Sequence, residues 1–371
     1  MTSALFQALS LRQLRLPNRI MVSPMCQYSA TDGSANDWHL IHYGQLALGG
    51  AGLLCLEATA VEAIGRITPG CLGLYSNDNE TALARVIAAI RHHSAIALAV
   101  QLGHAGRKGS SRAPWDDGML IPVQAGGWEP IAPSALPLFP SEPPPREMHG
   151  ADLERVREAF VHAARRAARL GFDAVELHCA HGYLLHEFLS PIANRRGDRY
   201  GGSLENRMRF PLEVFAAVRE AWPADKPLGV RISTTDWIDG GWDLAQSIEF
   251  AKRLKALGCD WIDASSGGVS PVQKIALGPD YQVPFAEAIR KEADIPTIAV
   301  GLITEPRQAE DIIAGGKADL VALARGMLFD PHWVWRAAME LGAQARAPKQ
   351  YWRAAPRGAR ALFGETKIGS R

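Results

Sequence analysis

Two histidines three positions apart, His178 and His181, follow a short apolar run, and Tyr183 stands two residues further on. In the turn that leaves a strand, this spacing lets both imidazoles point into one pocket, where two N–H donors can reach a single oxygen. A metal site would want an acidic third ligand from another strand end, and none stands out. Arg231 closes another run that is otherwise apolar, and a buried guanidinium is costly without an anion to face it. The matching positions of the other apolar runs give Cys26, Ala58, Gln101, Ser265 with Ser266, Gly301 and Arg325. The set is rich in hydrogen-bond donors, with a small residue wherever something bulky would need room.

The elements that must hold these groups are short runs bounded by Gly, Pro or Asp, at 19–24, 52–57, 96–101, 173–178, 227–233, 260–265, 296–300 and 319–324. Most are too short and too continuously apolar for amphipathic helices, and they read as strands buried on both faces. Helical periodicity fills the gaps, at 152–170, 204–222, 244–257, 285–292, 305–314 and 331–341. Gly171, Gly258, Gly315 and Gly316 serve as stops, and Thr304 with Pro306 as a start. Strand then helix, repeated eight times, is the signature of an α/β fold of the closed parallel (β/α)8 TIM-barrel type, whose chemistry sits at the C-terminal ends of the strands. The expected organisation is one barrel domain over 1–348 and a tail over 349–371. The connection 103–148, Pro-rich near its end, is out of scale and is expected to be a lid, a subunit contact or an excursion beside the site. The tail carries Arg353, Arg357, Arg360 and Arg371 and reads as an element ordered against a partner subunit.

A formal charge of +1 over 371 residues provides no global field for nucleic acid or an anionic membrane, so any bound anion needs a local cluster. No stretch approaches the roughly 18 apolar residues of a membrane span, and the N-terminus lacks a basic segment followed by an apolar one. Five cysteines (Cys26, Cys55, Cys71, Cys179, Cys259) are odd in number, scattered and without a CxxC pair. They argue against a disulfide framework and a structural zinc, and for a reducing, cytoplasmic compartment.

Several segments carry a family resemblance: Ser23-Pro24-Met25-Cys26-Gln27-Tyr28, Gln101-Leu102-Gly103-His104-Ala105-Gly106-Arg107-Lys108, His178-Cys179-Ala180-His181-Gly182-Tyr183, Asp198-Arg199-Tyr200-Gly201-Gly202-Ser203 and Asn206-Arg207. In this order, from about Leu5 to about Arg353, they resemble the Old Yellow Enzyme family. Cysteine at 26 and the histidine pair, where another branch has histidine and asparagine, resemble its thermophilic-like or xenobiotic-reductase branch.

The resemblance implies a non-covalent FMN and an ene-reductase: hydride passes from flavin N5 to the β-carbon of an α,β-unsaturated carbonyl or related activated compound. It implies that His178 and His181 hold the carbonyl oxygen and stabilise enolate-like charge. Tyr183 is implied as proton donor to the α-carbon, with Tyr28 lending the substrate a further hydrogen bond. Arg231 is implied as the cation beside the flavin N1 and C2 carbonyl, and Gln101 as partner of the pyrimidine edge. Ser23, Pro24, Met25 and Cys26 would lie along the ring, with Ala58 small enough to let it approach. Cys26 either contacts flavin and substrate or is simply a buried thiol. Gly301, Ala324 and Arg325 are implied at the phosphate, Ala324 standing where family members commonly have glycine. Ser266, or equally Ser265, adds a contact there; Lys108 lies on the ribityl-phosphate side or is solvated. Gln350-Tyr351-Trp352-Arg353 resembles an element whose arginine enters a neighbouring subunit's site, which implies a homodimer or homotetramer.

Other chemistries fit less well. A Schiff-base aldolase would want a lysine within 260–265, where there is none. A dinucleotide-binding dehydrogenase would want GxGxxG after its first strand, and the chain has no match. NADPH or NADH is therefore expected as a visiting co-substrate sharing the alkene's pocket, with alternating kinetics. A flavin-binding barrel that senses or sequesters would use the same residues and stays open as a second reading. Enones, enals, quinones and nitro-compounds all remain open as substrates.

Overall fold

Each of the eight apolar runs forms a strand: β1 (Ile20–Val22), β2 (Leu53–Ala60), β3 (Ala97–Gly103), β4 (Ala174–Cys179), β5 (Leu228–Ser233), β6 (Trp261–Ser265), β7 (Thr297–Val300) and β8 (Leu320–Leu323). The computed structural model describes residues 3–364 and 366. All eight strands pair in parallel and in chain order, and β8 returns to β1 through Val321↔Ile20, Ala322↔Met21 and Leu323↔Val22. The result is the expected (β/α)8 barrel.

The Asp residues that bound several runs in the sequence have a structural reason. Asp173 accepts the Leu98 N–H at 2.7 Å, Asp260 the Leu228 N–H at 2.8 Å and Asp319 the Thr297 N–H at 3.0 Å. Each satisfies an amide at the start of the preceding strand. Each also meets an arginine, Arg91, Arg12 and Arg290 respectively.

Ten α-helices are present among the described residues: α1 (Asp37–Ala47), α2 (Asn77–His93), α3 (Gly150–Arg169), α4 (Leu184–Leu189), α5 (Leu204–Ala221), α6 (Leu244–Ala256), α7 (Val283–Ala293), α8 (Pro306–Ala314), α9 (Arg325–Phe329) and α10 (Trp333–Glu340). The six periodic segments correspond to α3, α5, α6, α7, α8 and α10. The N-cap of α8 is Glu305 rather than Thr304, with Pro306 in the first turn. Periodicity does not single out α1, because its buried face includes His39 and His42 beside Tyr43 and Leu46.

Parallel strands covered on both faces divide their side chains by parity. Leu54, Leu56, Leu98, Val100, Val175, Leu177, Val230, Ile232, Ile262 and Val321 point outward to the helices. Met21, Leu53, Cys55, Ala97, Ala99, Ala174, Trp261, Ile298 and Leu320 fill the barrel interior. A hairpin not anticipated from the sequence, Leu9–Leu11 paired with Leu14–Leu16, adds Leu11 and Leu16 to that interior cluster and closes its lower end. Glu310 of α8 holds the chain ahead of the hairpin, accepting from Ser3 Oγ, Ala4 N and Leu5 N at 2.5–2.9 Å.

Two expected strand ends move. β2 runs on to Ala60 and β3 to Gly103, so Ala58 and Gln101 lie inside strands; a register shift between Leu56 and Ala58 leaves Glu57 out of the pairing. The connection 103–148 is built from short 3-10 turns and a two-residue parallel pairing of Ile131–Ala132 with Arg146–Glu147. It runs beside the upper mouth of the barrel, where Trp115 meets Tyr28 edge-on with ring centroids 5.6 Å apart. The segment after α10 packs at the opposite end, lining a groove of about 690 Å³ with Pro17, Asn18, Ile96 and Trp352. Arg371 lies outside the described residues. Among the described residues no helix is long and apolar enough to cross a membrane.

The lower interior is packed without slack at Gly229, where an added Cβ would stand 1.9 Å from the Trp261 ring. Gly229→Ala is expected to destabilise the fold by about 3 kcal/mol through overpacking, measured as a lower denaturant midpoint with an unchanged slope.

Candidate active site

The turn after β4 carries the histidine pair. His181 and Gly182 both adopt left-handed backbone conformations, φ +59° and +71°. Three contacts hold this sharp turn. Ser233 Oγ accepts the His181 N–H at 2.9 Å, His186 Nδ1 accepts the Gly182 N–H at 2.8 Å, and the bare backbone of Gly268 sits where a Cβ would come within 2.5 Å of His181 Cα. His186 Nε2 in turn lies 3.0 Å from Asp236 Oδ1, both side chains fully buried. The turn brings His178 Nε2 and His181 Nδ1 within 3.4 Å of each other. Tyr183, at the start of α4, meets the His178 ring edge-on with centroids 4.9 Å apart. Burial, followed by the nearby Arg231, pushes both histidines well below the usual imidazole range, so they are neutral at pH 7. Burial raises the Tyr183 phenol, which keeps its proton.

Beneath the pair lies a charged layer in which the sequence reading found Arg231 but missed both carboxylates. Glu176, fully buried, accepts from Gln101 Nε2 at 2.9 Å and from Trp261 Nε1 at 3.1 Å. Arg231 Nε is 3.3 Å from Asp263 Oδ2, and Arg231 Nη1 donates to Ser23 Oγ at 3.2 Å. Asp263 thus supplies the anion that Arg231 was expected to need. Burial raises both carboxylates, with Asp263 adding to the rise at Glu176, which reaches about 7; Arg231 opposes the rise at each. The sequence did hold a signal. Glu176, Arg231 and Asp263 each stand two positions before His178, Ser233 and Ser265, so they share the inward parity.

The loop after β1 is held from behind by another carboxylate missing from the sequence reading. Glu57 accepts the Gln27 N–H at 3.0 Å and the Tyr43 O–H at 2.7 Å. Burial lifts Glu57 to about 7. Pro24, Met25, Cys26 and Tyr28 are half-buried along this loop. The Cys26 thiol is pushed up by burial, then by Cys71 and Glu57, so it is no thiolate at neutral pH. A narrow cleft between Ala58, Gly103, Cys71, His178 and Tyr183 opens beside it.

At the far side of the mouth, Gly301 has φ +110°, and a Cβ there would come within 2.4 Å of Gln282 Nε2 and 2.9 Å of the Tyr281 ring. Ser266 Oγ donates to Gln282 Oε1 at 2.5 Å. Ala324 precedes α9, and Arg325 opens it with an exposed side chain. These groups fit FMN. Arg231 and Ser23 are buried donors, Gly301 keeps its backbone bare, Arg325 is exposed at the start of α9, and the buried Nδ1 of His178 has no partner.

One candidate, Lys108, falls elsewhere, and Arg353, expected in a neighbouring subunit's site, lies away from its own. Lys108, expected on the phosphate side or in solvent, instead donates to the His181 carbonyl at 2.7 Å and lies 5.5 Å above the Tyr183 ring; the short turn Gly106–Lys108 after β3 directs it there. Arg353 belongs to the short helix Lys349–Ala354, whose Trp352 lines the groove at the lower end, so the chain does not bring Arg353 to its own site.

A family profile described as NADH:flavin oxidoreductase / NADH oxidase matches residues 4–344. An NADPH dehydrogenase of Geobacillus thermodenitrificans (strain NG80-2) is 48% identical over 355 residues, covering 95% of this chain and 99% of the relative. Morphinone reductase in complex with tetrahydroNAD superposes with a TM-score of 0.74 at 29% identity, over 93% of this chain and 92% of that one. A 2-naphthoyl-CoA reductase complex superposes with a TM-score of 0.81 at 26% identity, over 97% of this chain and 55% of its own.

The short turn Gly106–Lys108 rests on one more buried acid, Glu187 of α4, which accepts the Arg107 N–H at 2.9 Å. Burial outweighs Arg107 and lifts it from 4.5 to about 8. Above pH 4.5 the unfolded chain releases this proton while the folded protein keeps it up to about pH 8, so stability falls through that window. Between pH 5 and pH 8 the wild type is expected to lose on the order of 3 kcal/mol relative to Glu187→Gln, read from denaturant midpoints of both proteins at the two pH values.

Proposed function

Since this chain belongs to the NADH:flavin oxidoreductase / NADH oxidase family, the Old Yellow Enzyme family, we propose that it reduces the C=C bond of α,β-unsaturated carbonyl and related activated compounds. At the coarser level it is an FMN-dependent NADPH dehydrogenase acting with a nicotinamide nucleotide on small molecules. When bound, FMN would supply the two-electron chemistry that links NADPH to the acceptor. The observation that carries the finer reading is the pair of neutral imidazole nitrogens, His178 Nε2 and His181 Nδ1, 3.4 Å apart beside a protonated phenol.

Two N–H groups at that spacing can share one carbonyl oxygen and favour the charge that grows on it as the double bond is reduced. Because both rings are buried and neutral, they act as fixed dipoles that need no rearrangement when the charge develops. Tyr183 protonates the α-carbon; a neutral phenol can deliver a proton to a strongly basic enolate. Lys108, above the Tyr183 ring and lowered by burial to about 8, favours the phenolate left behind. Tyr28 and Trp115 form the outer wall over the substrate. A barrel that only bound flavin would have no use for a proton donor at Tyr183.

For the cofactor, Arg231 and Ser23 hold the pyrimidine end, and Gln101 presents an amide oriented by the N–H that it gives to Glu176. Pro24, Met25, Cys26 and Ala58 flank the ring, while Ser266, Gly301, Ala324 and Arg325 serve the ribityl and phosphate. The barrel over 1–348 forms this site, and the tail from 349 serves a neighbouring copy, with Arg353 entering its pocket in a homodimer or homotetramer. The tail's position at the opposite end from its own site supports that division. All five cysteines are free, which supports a cytoplasmic setting.

Tyr183→Phe is expected to slow alkene reduction by about 10²-fold while leaving flavin reduction by NADPH unchanged; stopped-flow measurement of the two half-reactions checks this, and equal slowing of both would make the tyrosine structural. The protein with both His178→Ala and His181→Ala should keep FMN but lose phenol affinity by at least about tenfold and most alkene reduction. Undiminished phenol binding in that protein would remove the histidines from the carbonyl.

A further inference from the structure

The ends of β4 and β6 meet where His181 Nε2 lies 2.7 Å from Ser265 Oγ. Ser265 shares the inward parity of Trp261 and Asp263 on β6 and is 4% exposed, shielded from competing water. Its carbonyl accepts from Thr234 N at 2.9 Å and Thr234 Oγ1 at 2.8 Å, which fixes the backbone beneath the hydroxyl. The neighbouring hydroxyl, Ser266, is committed to Gln282. The two serines therefore divide: Ser266 faces the Gln282 side and Ser265 the histidine pair.

A neutral imidazole has one N–H and one lone pair, so what Nε2 does decides what Nδ1 can do. With the His178 proton on Nε2, two arrangements satisfy the observed distances. In the first, His181 Nε2–H donates to Ser265 Oγ, and Nδ1 accepts from His178 Nε2–H across 3.4 Å; the pair is closed on itself and only His178 has a proton to offer. In the second, Ser265 O–H donates to Nε2, the His181 proton sits on Nδ1, and both Nδ1–H and His178 Nε2–H face a common point. Only the second presents two donors to one oxygen. A hydroxyl can serve either arrangement because it both donates and accepts. With no donor at that position, the Nδ1–H form would leave a buried lone pair unmet, at a cost that favours the first arrangement.

We propose that Ser265 is a positioning residue that donates its hydroxyl to His181 Nε2, holds His181 as the Nδ1–H tautomer, and so creates the second donor to the substrate carbonyl. The inference rests on the reading of His178 and His181 as ligands of that oxygen. It assigns Ser265 to the histidines and not to the flavin phosphate.

The test uses the FMN-loaded enzyme, Ser265→Ala and Ser265→Thr. The probes are 4-hydroxybenzaldehyde, titrated through the long-wavelength absorbance change of the flavin, and the nitrogen-15 resonances of His181, which distinguish its two tautomers. Ser265→Ala is expected to retain FMN, to bind the phenol about tenfold more weakly, and to shift the His181 proton toward Nε2 in the complex. Ser265→Thr, which keeps the hydroxyl on a β-branched side chain suited to a strand, is expected to restore both readouts. Wild-type affinity and tautomer in Ser265→Ala would overturn the proposal, as would a threonine variant as impaired as the alanine one, or loss of FMN from Ser265→Ala. If phenol affinity falls in the double histidine variant but not in Ser265→Ala, the serine's role fails alone. If it survives in both, the carbonyl reading has failed.

Discussion

A strand covered on both faces can aim only alternate side chains inward, and the chemistry at the mouth of this barrel depends on that restriction. On β4 the inward series is Ala174, Glu176, His178; on β5 it is Gly229, Arg231, Ser233; on β6 it is Trp261, Asp263, Ser265. The cross-strand register aligns the β5 and β6 series, with Asp263 opposite Arg231, and steps β4 by one inward position, with Glu176 opposite Gly229 and His178 opposite Arg231. Packing thus gives way to charge and then to donors within a few residues. A one-residue slip in any of the three strands would turn its polar groups into the apolar layer beneath the helices.

The middle layer is unbalanced by design of its composition: one guanidinium faces two carboxylates. At 3.3 Å and an effective dielectric near 20, Arg231 and Asp263 attract by roughly 5 kcal/mol, comparable with the several kcal/mol needed to desolvate each ion. At Glu176 burial and the neighbouring Asp263 outweigh Arg231 and lift it to about 7, and two neutral donors, Gln101 and Trp261, hold it. The amide of Gln101 is thereby oriented before any ligand arrives. Similar logic applies at Glu57, where Tyr43 and the Gln27 amide stand in for a cation and fix the loop carrying Cys26.

Most of the barrel was legible because its strands are short apolar runs punctuated by Asp, Gly and Pro, and because the Asp residues that open β4, β6 and β8 bond the strand before each. The histidine pair, Tyr183 and Arg231 were legible as polar interruptions at the ends of such runs. Glu176 and Asp263 were passed over although their period-two spacing from His178 and Ser265 marks them as inward, because attention to the strand ends leaves an acid in the middle of a strand unexamined. The hairpin Leu9–Leu11 with Leu14–Leu16 escaped because three-residue strands carry too little pattern. Lys108 was misplaced because its direction is set by a 3-10 turn, whose geometry adjacent residue types do not disclose. The Ser265 contact with His181 joins residues 84 positions apart and exists only after β4 and β6 have both been laid down.

The seam between β1 and β8 joins Ile20 to Val321, and Glu310 clasps the chain just ahead of it. During synthesis the first strand must therefore wait, with one edge unpaired, until β8 has left the ribosome. A nascent barrel of this kind exposes two open edges at once, the state most prone to pairing with a stranger. Short edge strands are one defence: β1 and β8 are three and four residues long, too brief to template a foreign sheet.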